Sequence, residues 1–426
     1  MGEDLGDMED FDATLGGHFA NPFRPQTEIG VAQRGVYRIT LNNTGTGWEE
    51  EFLLMVPRSV PEPAPLLIGF HGFSRSPDSV LHETRYMQKA VRRGWYAIAP
   101  TGAHEFNFAI PYAQENIEAV LEWAVRNLFV DTDRIYGVGF SMGGGMASTY
   151  AARHQDPNKP RFAAIVNHTG TVSMRDVYNN SINHGILEHP MMFGGSPSDF
   201  PFLYAQASAI DIAFGEIDQS NDFSRHLSGA SVLNFYAQGD PLAYLTEQAD
   251  LFHGQLEARG ADSTLLSNDS DVHSWDTLSE RATFQFLQRA RLSDPEPGTR
   301  VQVLADRDAN YYNFKVGQRK DGAFTRFQWR TRAGLNRLFL ERIENLETVG
   351  FDTAEVGLDG SQKLEIILQA TTADQIDLEI TGFEGAPSDV QRGQNSVSNW
   401  SFDSARGVLT LHEFDPSTYQ LWTVLP

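Results

Sequence analysis

The segment Arg134–Tyr150, RIYGVGFSMGGGMASTY, leaves this chain few choices of fold. Ile135–Phe140 is a short β-branched and aromatic run; it enters Gly139-Phe140-Ser141-Met142-Gly143, and a small-residue helical segment follows. A strand that turns sharply into a helix, with serine at the turn, is the local architecture in which a serine becomes a nucleophile. Gly139 and Gly143 answer a steric need, because such a turn brings backbone too close for side chains two positions either side. Gly144 and Gly145 then let the helix pack closely on the sheet. In a chain with 37 glycines among 426 residues the pentapeptide alone is weak evidence, so the partners it needs elsewhere decide its meaning.

In chain order, Met1–Asp12 is acid-rich without a base, and residues 1–33 read as an acidic flexible arm. Gly35–Leu41 and Glu50–Val56 read as an antiparallel pair, and Leu66–Phe70 as a strand buried on both faces. Ser79–Arg93 has helical spacing, Trp95–Ala99 reads as a strand, and Ile117, Val120, Leu121, Ala124, Val125 and Leu128 mark one face of a helix. Phe162–Val166 is expected to be a strand, and Ser173–Ser208 a long irregular stretch of the kind that forms a lid over a pocket. Ser231–Gln238 reads as a strand, Leu245–Leu256 as a helix and Ser263–Ser267 as a strand. Thr277-x-x-Glu280 reads as a capping box for a last helix to about Ala290. Alternation of this kind predicts a doubly wound, mostly parallel sheet in residues 34–291. Residues 292–298, with two prolines and a glycine, are the expected linker. From residue 299 to 426 the segments are short, alternating and turn-bounded, which predicts an all-β, antiparallel sandwich.

A serine hydroxyl is a poor nucleophile until a base takes its proton and an acid orients that base. In this topology acid and then histidine follow the serine on loops at the carboxyl ends of strands. His273 meets the requirement for the base. Asp240 ends a strand and leaves room for one helix and one strand before His273; Asp218 is the alternative acid and would need an additional strand. The backbone N–H groups of Met142, directly after the nucleophile, and Phe73, after the Leu66–Phe70 strand, are the expected oxyanion donors. Trp275, His104 and Phe106 are the expected substrate-contacting residues. Trp329, Trp400 and Trp422 have two readings, a flat platform for a polymer or buried sandwich aromatics.

Gly69-Phe70-His71-Gly72-Phe73, Gly139-Phe140-Ser141-Met142-Gly143-Gly144, Gly239-Asp240-Pro241 and His273 together resemble the α/β-hydrolase superfamily. Within it the chain is most similar to the esterase branch of polyhydroxyalkanoate depolymerases, feruloyl esterases and related polyesterases. The resemblance covers about residues 35–290. It implies the α/β-hydrolase fold and a serine hydrolase that cleaves carboxylic esters, polymeric ones included, through an acyl-enzyme. Peptidases of the same fold share the elbow, so a serine peptidase is the alternative, and an inert binding module acting through the C-terminal domain is a third reading.

Composition excludes several other classes. The chain has no cysteine, which removes a disulfide scaffold, a thiolate metal site and a cysteine nucleophile. A net charge of −23 argues against nucleic acid or an anionic membrane as partner. No apolar run approaches the roughly 20 residues of a membrane span. Asp306-x-Asp308-x-Asn310 opens like a calcium loop, but Tyr311 stands in place of the turn glycine and Gly317 in place of the glutamate, so no metal is expected there. No phosphate-binding glycine loop appears, and no cofactor is expected. Met1–Asp12 lacks the charged start and apolar centre of a signal peptide. A secreted or periplasmic location therefore requires an export signal absent from this sequence. Compartment and oligomeric state are left open.

Overall fold

Leu66–Phe70 lies where a run without polar alternation must lie, inside a sheet covered on both faces. The structure, a computed structural model, describes residues 8–12, 36–42, 44–60, 63–182, 184–295 and 298–426. The chain divides into two compact units, Met1–Arg153 with Lys159–Ser293, and His154–Asn158 with Asp294–Pro426.

The first unit is built on β1 (Met8–Asp12), β2 (Val36–Leu41), β3 (Glu50–Met55), β4 (Ala64–Phe70), β5 (Tyr96–Pro100), β6 (Val130–Phe140) and β7 (Ala164–His168). A separate hairpin, β8 (Ile212–Ala213) with β9 (Glu216–Ile217), precedes β10 (Ser231–Ala237) and β11 (Ser263–Asn268). The strand order of the nine-stranded sheet is β1-β2-β3-β5-β4-β6-β7-β10-β11. β3 runs antiparallel to both neighbours, and every pair from β5 to β11 is parallel. The parallel crossovers are α1 (Pro77–His82) with α2 (Tyr86–Arg92), α3 (Pro111–Asn127), α4 (Met142–Arg153) and α8 (Ala243–Ala258). The acidic arm expected over residues 1–33 lies outside the described residues except for β1, whose backbone pairs parallel with β2. Among the described residues no helix is long and apolar enough to cross a membrane.

Three local expectations are corrected. The helix expected over Ser79–Arg93 is two helices: Thr84 Oγ1 donates to Val80 O at 2.5 Å and accepts from Tyr86 N at 3.2 Å, closing α1 and starting α2. The stretch Ser173–Ser208 is not irregular. It contains α5 (Met174–Asn180), α6 (His184–Leu187) and α7 (Pro201–Gln206), which bury Met174, Val177, Leu187, Phe193 and Tyr204 in a core of their own together with Phe108, Met142 and Leu245. The last helix, α9 (Glu280–Leu287), is capped by Ser279 rather than Thr277, because the Thr277 hydroxyl is engaged by Ser274 O and His168.

The second unit holds a seven-stranded and a six-stranded sheet. Its strands alternate because one face of each is buried: Leu340, Ile366 and Trp422 from the larger sheet and Phe314, Val349, Leu378 and Leu411 from the smaller belong to one apolar cluster. The expected purely antiparallel pairing is corrected. Arg337–Glu344 runs parallel to Leu364–Ala370, and Leu346–Asp352 parallel to Ile376–Thr381. Consecutive strands here alternate between the two sheets, so a strand and its next-but-one neighbour enter the same sheet in the same direction. The tryptophans offer no platform: Trp422 is fully buried with its indole N–H on Glu413 at 3.0 Å, and Trp329 and Trp400 pack against the core. Asp306 accepts from the Tyr311 hydroxyl at 2.8 Å, Asp308 from Gln318 N at 2.7 Å, and Asn310 donates to Asp156 at 3.1 Å, so all three have structural work.

Trp422→Ala should cost about 3–5 kcal/mol, and Trp400→Ala clearly less because its ring is only partly buried. Urea denaturation of the full chain followed by circular dichroism measures both.

Candidate active site

β6 delivers Ser141 into a backbone conformation that a residue with a side chain adopts only under constraint, φ +56°. The constraint is backbone crowding. A Cβ added at Gly139 would lie 2.0 Å from Gly143 O, and one at Gly143 would lie 2.2 Å from Phe70 O and 2.6 Å from His71 O. The turn is held by hydrogen bonds: Ser141 N donates to His168 O at 2.9 Å, and Ser141 O accepts from Gly144 N at 3.0 Å and Gly145 N at 3.2 Å. Ser141 is largely buried, and α4 begins at the next residue.

β10 and β11 bring in the other two groups. The loops that leave them are tied together by Gln238 N on Asn268 O at 2.8 Å and Gly239 N on Ser270 O at 2.9 Å. That pairing places Asp240 Oδ2 2.8 Å from His273 Nδ1. His273 Nε2 is buried and without a protein partner, and the ring lines the same cavity as Ser141. Burial works to raise the Asp240 carboxyl. The hydrogen bonds from His273 and from Leu242 N at 2.9 Å, with the charge of His273, outweigh it and hold the group below the usual carboxylate range. Asp218, the alternative acid, is spent elsewhere: its Oδ1 accepts from Ser220 N at 2.9 Å and Ser220 Oγ at 2.6 Å, capping a short 3-10 turn.

The cavity measures about 590 Å³. Phe73, Phe108, Phe140, Val177, Leu245 and Trp275 supply apolar wall, while Arg75, Glu83, Asn180 and Ser181 supply polar groups and Ile182 is fully exposed on its rim. Trp275 lines the cavity, as do Val177, Asn180, Ser181 and Ile182 of the Ser173–Ser208 stretch. His104 and Phe106 do not line the cavity. The loop turns through left-handed residues at Phe108 and Ala109, which sends Phe108 inward. His104 Nε2 instead meets the Tyr112 hydroxyl at 2.6 Å, and Phe106 packs behind Phe73 at 5.2 Å between ring centroids.

The N–H groups of Phe73 and Met142 both belong to cavity-edge turns, and among the described residues no hydrogen bond engages either. The Phe73 loop is fixed from behind. Buried His71 sets its ring nitrogens 2.9 Å from Gly72 O and 2.9 Å from Thr101 O. The Thr101 loop is pinned in turn by Glu50, a fully buried carboxylate that accepts from Gly102 N at 2.9 Å, Ala103 N at 2.7 Å and Asn116 Nδ2 at 3.0 Å. Burial pushes Glu50 up from its ordinary value, against those donors.

Sequence reasoning missed Glu50 and His168. His168 ends β7, on the strand edge where site residues gather, and that position was its only signal. It is fully buried, with Nε2 2.8 Å from Thr277 Oγ1. Since Thr277 Oγ1 donates to Ser274 O at 2.8 Å, it accepts from His168, which fixes the tautomer as Nε2–H and ties down the loop that carries His273. Burial, reinforced by the charge of His273, pulls His168 down to about 3. Among the described residues no three His, Cys, Asp or Glu side chains cluster as a metal site.

A strand order of this kind, with a serine elbow and a histidine–aspartate pair opening on one cavity, is an α/β architecture in which a serine can act as a nucleophile. The model of the prolyl oligopeptidase family matches residues 112–281. Among solved structures the chain is similar to an S-formylglutathione hydrolase from Agrobacterium tumefaciens, at 16% identity and TM-score 0.45 over 61% of this chain and 95% of that one. It is also similar to the Pyrococcus horikoshii acylaminoacyl peptidase, at 16% identity and TM-score 0.46 over 62% of this chain and 42% of that one. A third is a ferulic acid esterase, at 18% identity and TM-score 0.43 over 60% and 98%. No curated protein matches the chain.

His168 makes the fold acid-sensitive. Its folded-state pKa lies below the ordinary 6.5, so between about 6.5 and about 3 the unfolded chain binds a proton that the native state does not. The contribution is complete above that window and is lost as pH falls through it, by at most about 1.4 kcal/mol per pH unit. His168→Gln should flatten the dependence of stability on pH between 6.5 and 4.5, read from denaturation midpoints at each pH.

Proposed function

We propose that the chain is a serine esterase acting through an acyl-enzyme. The observation that carries the reading is the His273–Asp240 contact of 2.8 Å with the buried Nε2 left unpartnered on the cavity that also holds Ser141. In that reading Ser141 Oγ attacks the ester carbonyl while His273 Nε2 takes its proton, and Asp240 keeps Nδ1–H in place and offsets the imidazolium charge. The carbonyl electron pair moves to oxygen, where the N–H groups of Phe73 and Met142 receive it. His273 then protonates the leaving alkoxide. Water repeats the sequence on the acyl-enzyme and restores Ser141.

The wall of Phe73, Phe108, Val177, Leu245 and Trp275 favours an apolar or aromatic acyl group over a charged one. A feruloyl-type or polyester substrate is the specific form of this proposal. We read the C-terminal unit as a β-sandwich accessory module, a reading supported by two sheets that share one apolar cluster.

The match of residues 112–281 to the prolyl oligopeptidase family favours a second reading, a serine peptidase. The two part on leaving group: an esterase turns over p-nitrophenyl butyrate and methyl ferulate and leaves aminoacyl anilides untouched, and the reverse preference would exchange them. Ser141→Ala should abolish turnover. Asp240→Asn should lower kcat by at least about a hundredfold through loss of the imidazole's orientation, and Asp218→Asn should leave kcat within twofold. Equal losses in the two aspartate variants would remove Asp240 from the mechanism, and failure of a fluorophosphonate probe to label the folded protein would leave only a binding role.

A further inference from the structure

Between Gly139 and Ser141 the elbow carries Phe140, which the mechanism above does not use. Its ring lies against His273 with centroids 4.4 Å apart and planes 38° apart, so the imidazole rests on the ring rather than at its rim. The ring has little freedom: Trp275 packs on it at 5.3 Å, His168 meets it edge-on at 4.9 Å and 63°, and a Cβ added at Gly72 would lie 3.5 Å from its Cδ1.

We propose that the π face of Phe140 stabilises the positive charge that forms on His273 when it takes the Ser141 proton. The inference rests on the serine-hydrolase reading. As the Ser141 O–H bond breaks and the O–C bond to the substrate forms, the proton passes to Nε2 and the imidazole becomes a cation. The negative face of an aromatic ring attracts that cation and is nearly indifferent to the neutral base. An interaction present only once charge has formed lowers the barrier without tightening substrate binding. The other groups that face His273 leave this role open. Asp240, after β10, neutralises the ring from the Nδ1 side; His168, at the end of β7, is buried behind Phe140 and Trp275; Arg75 and Glu83, on the cavity wall, lie 3.8 Å from each other. Phe140 is therefore a positioning residue that acts through the base.

The test replaces Phe140, by site-specific incorporation, with 4-fluoro-, 3,5-difluoro- and 3,4,5-trifluorophenylalanine, which weaken the ring's negative face stepwise at nearly constant size. On p-nitrophenyl butyrate, kcat should fall at each step, about three- to tenfold across the series, with KM within twofold. The acid limb of kcat/KM should move to lower pH, because an imidazolium with less support in the free enzyme loses its proton more readily. Phe140→Tyr should hold the wild-type limb and Phe140→Leu should match or exceed the trifluoro protein. Serine-dependent turnover whose kcat and acid limb ignore fluorination would overturn the role of Phe140 alone. Turnover that survives Ser141→Ala would overturn the serine-hydrolase reading and this inference with it.

Discussion

Everything in the N-terminal unit that bears on chemistry depends on one close approach of backbone to backbone. Gly143 sits so near the carbonyls of Phe70 and His71 that no Cβ fits between them. The loop after β4 and the turn after β6 are therefore one packing unit. The loop presents the Phe73 N–H, the turn presents Ser141 and the Met142 N–H, and neither can shift alone. Holding Ser141 at positive φ costs about 1–3 kcal/mol. The hydrogen bonds from Ser141 N to His168 O and from Gly144 and Gly145 to Ser141 O offset that strain.

A second layer fixes the base. His273 is held at Nδ1 by Asp240, and its loop is held by Thr277, which His168 and Asn268 grip from the ends of β7 and β11. Both grips are partly buried, where less water competes for a hydrogen bond than at the surface. Burial keeps His168 neutral, so it places no positive charge beside His273. Glu50 plays the corresponding part for the oxyanion side, anchoring through Gly102 and Ala103 the loop on which His71 rests. The α5–α7 insertion contributes Val177, Asn180, Ser181 and Ile182 to the cavity lining, and its apolar core includes Met142, the residue after Ser141.

The alternation of strands and helices in the first unit was legible because each buried strand and each amphipathic helix carries its own period. Ser141, Asp240 and His273 could be picked out because each follows a strand in chain order. Within the second unit the short strands could be located, but not their parallel pairings, since period-2 alternation is the same whichever way a neighbour runs. The insertion showed no period because its helices are short and bury residues against different partners.

By itself the sequence determined the elbow, since only glycine tolerates the contacts at positions 139 and 143. It also determined that His273 had a carboxylate available on the preceding loop. Only the tertiary structure brought Asp240 rather than Asp218 to His273, turned Phe108 rather than Phe106 or His104 into the cavity, and set Phe140 and His168 around His273. The reason is one of range. Steric exclusion at a tight turn is local and leaves its mark on the residues of the turn. Which carboxylate meets a histidine, and which ring faces a cavity, depends on loops from separate strands meeting at one sheet edge, and no single segment carries that information.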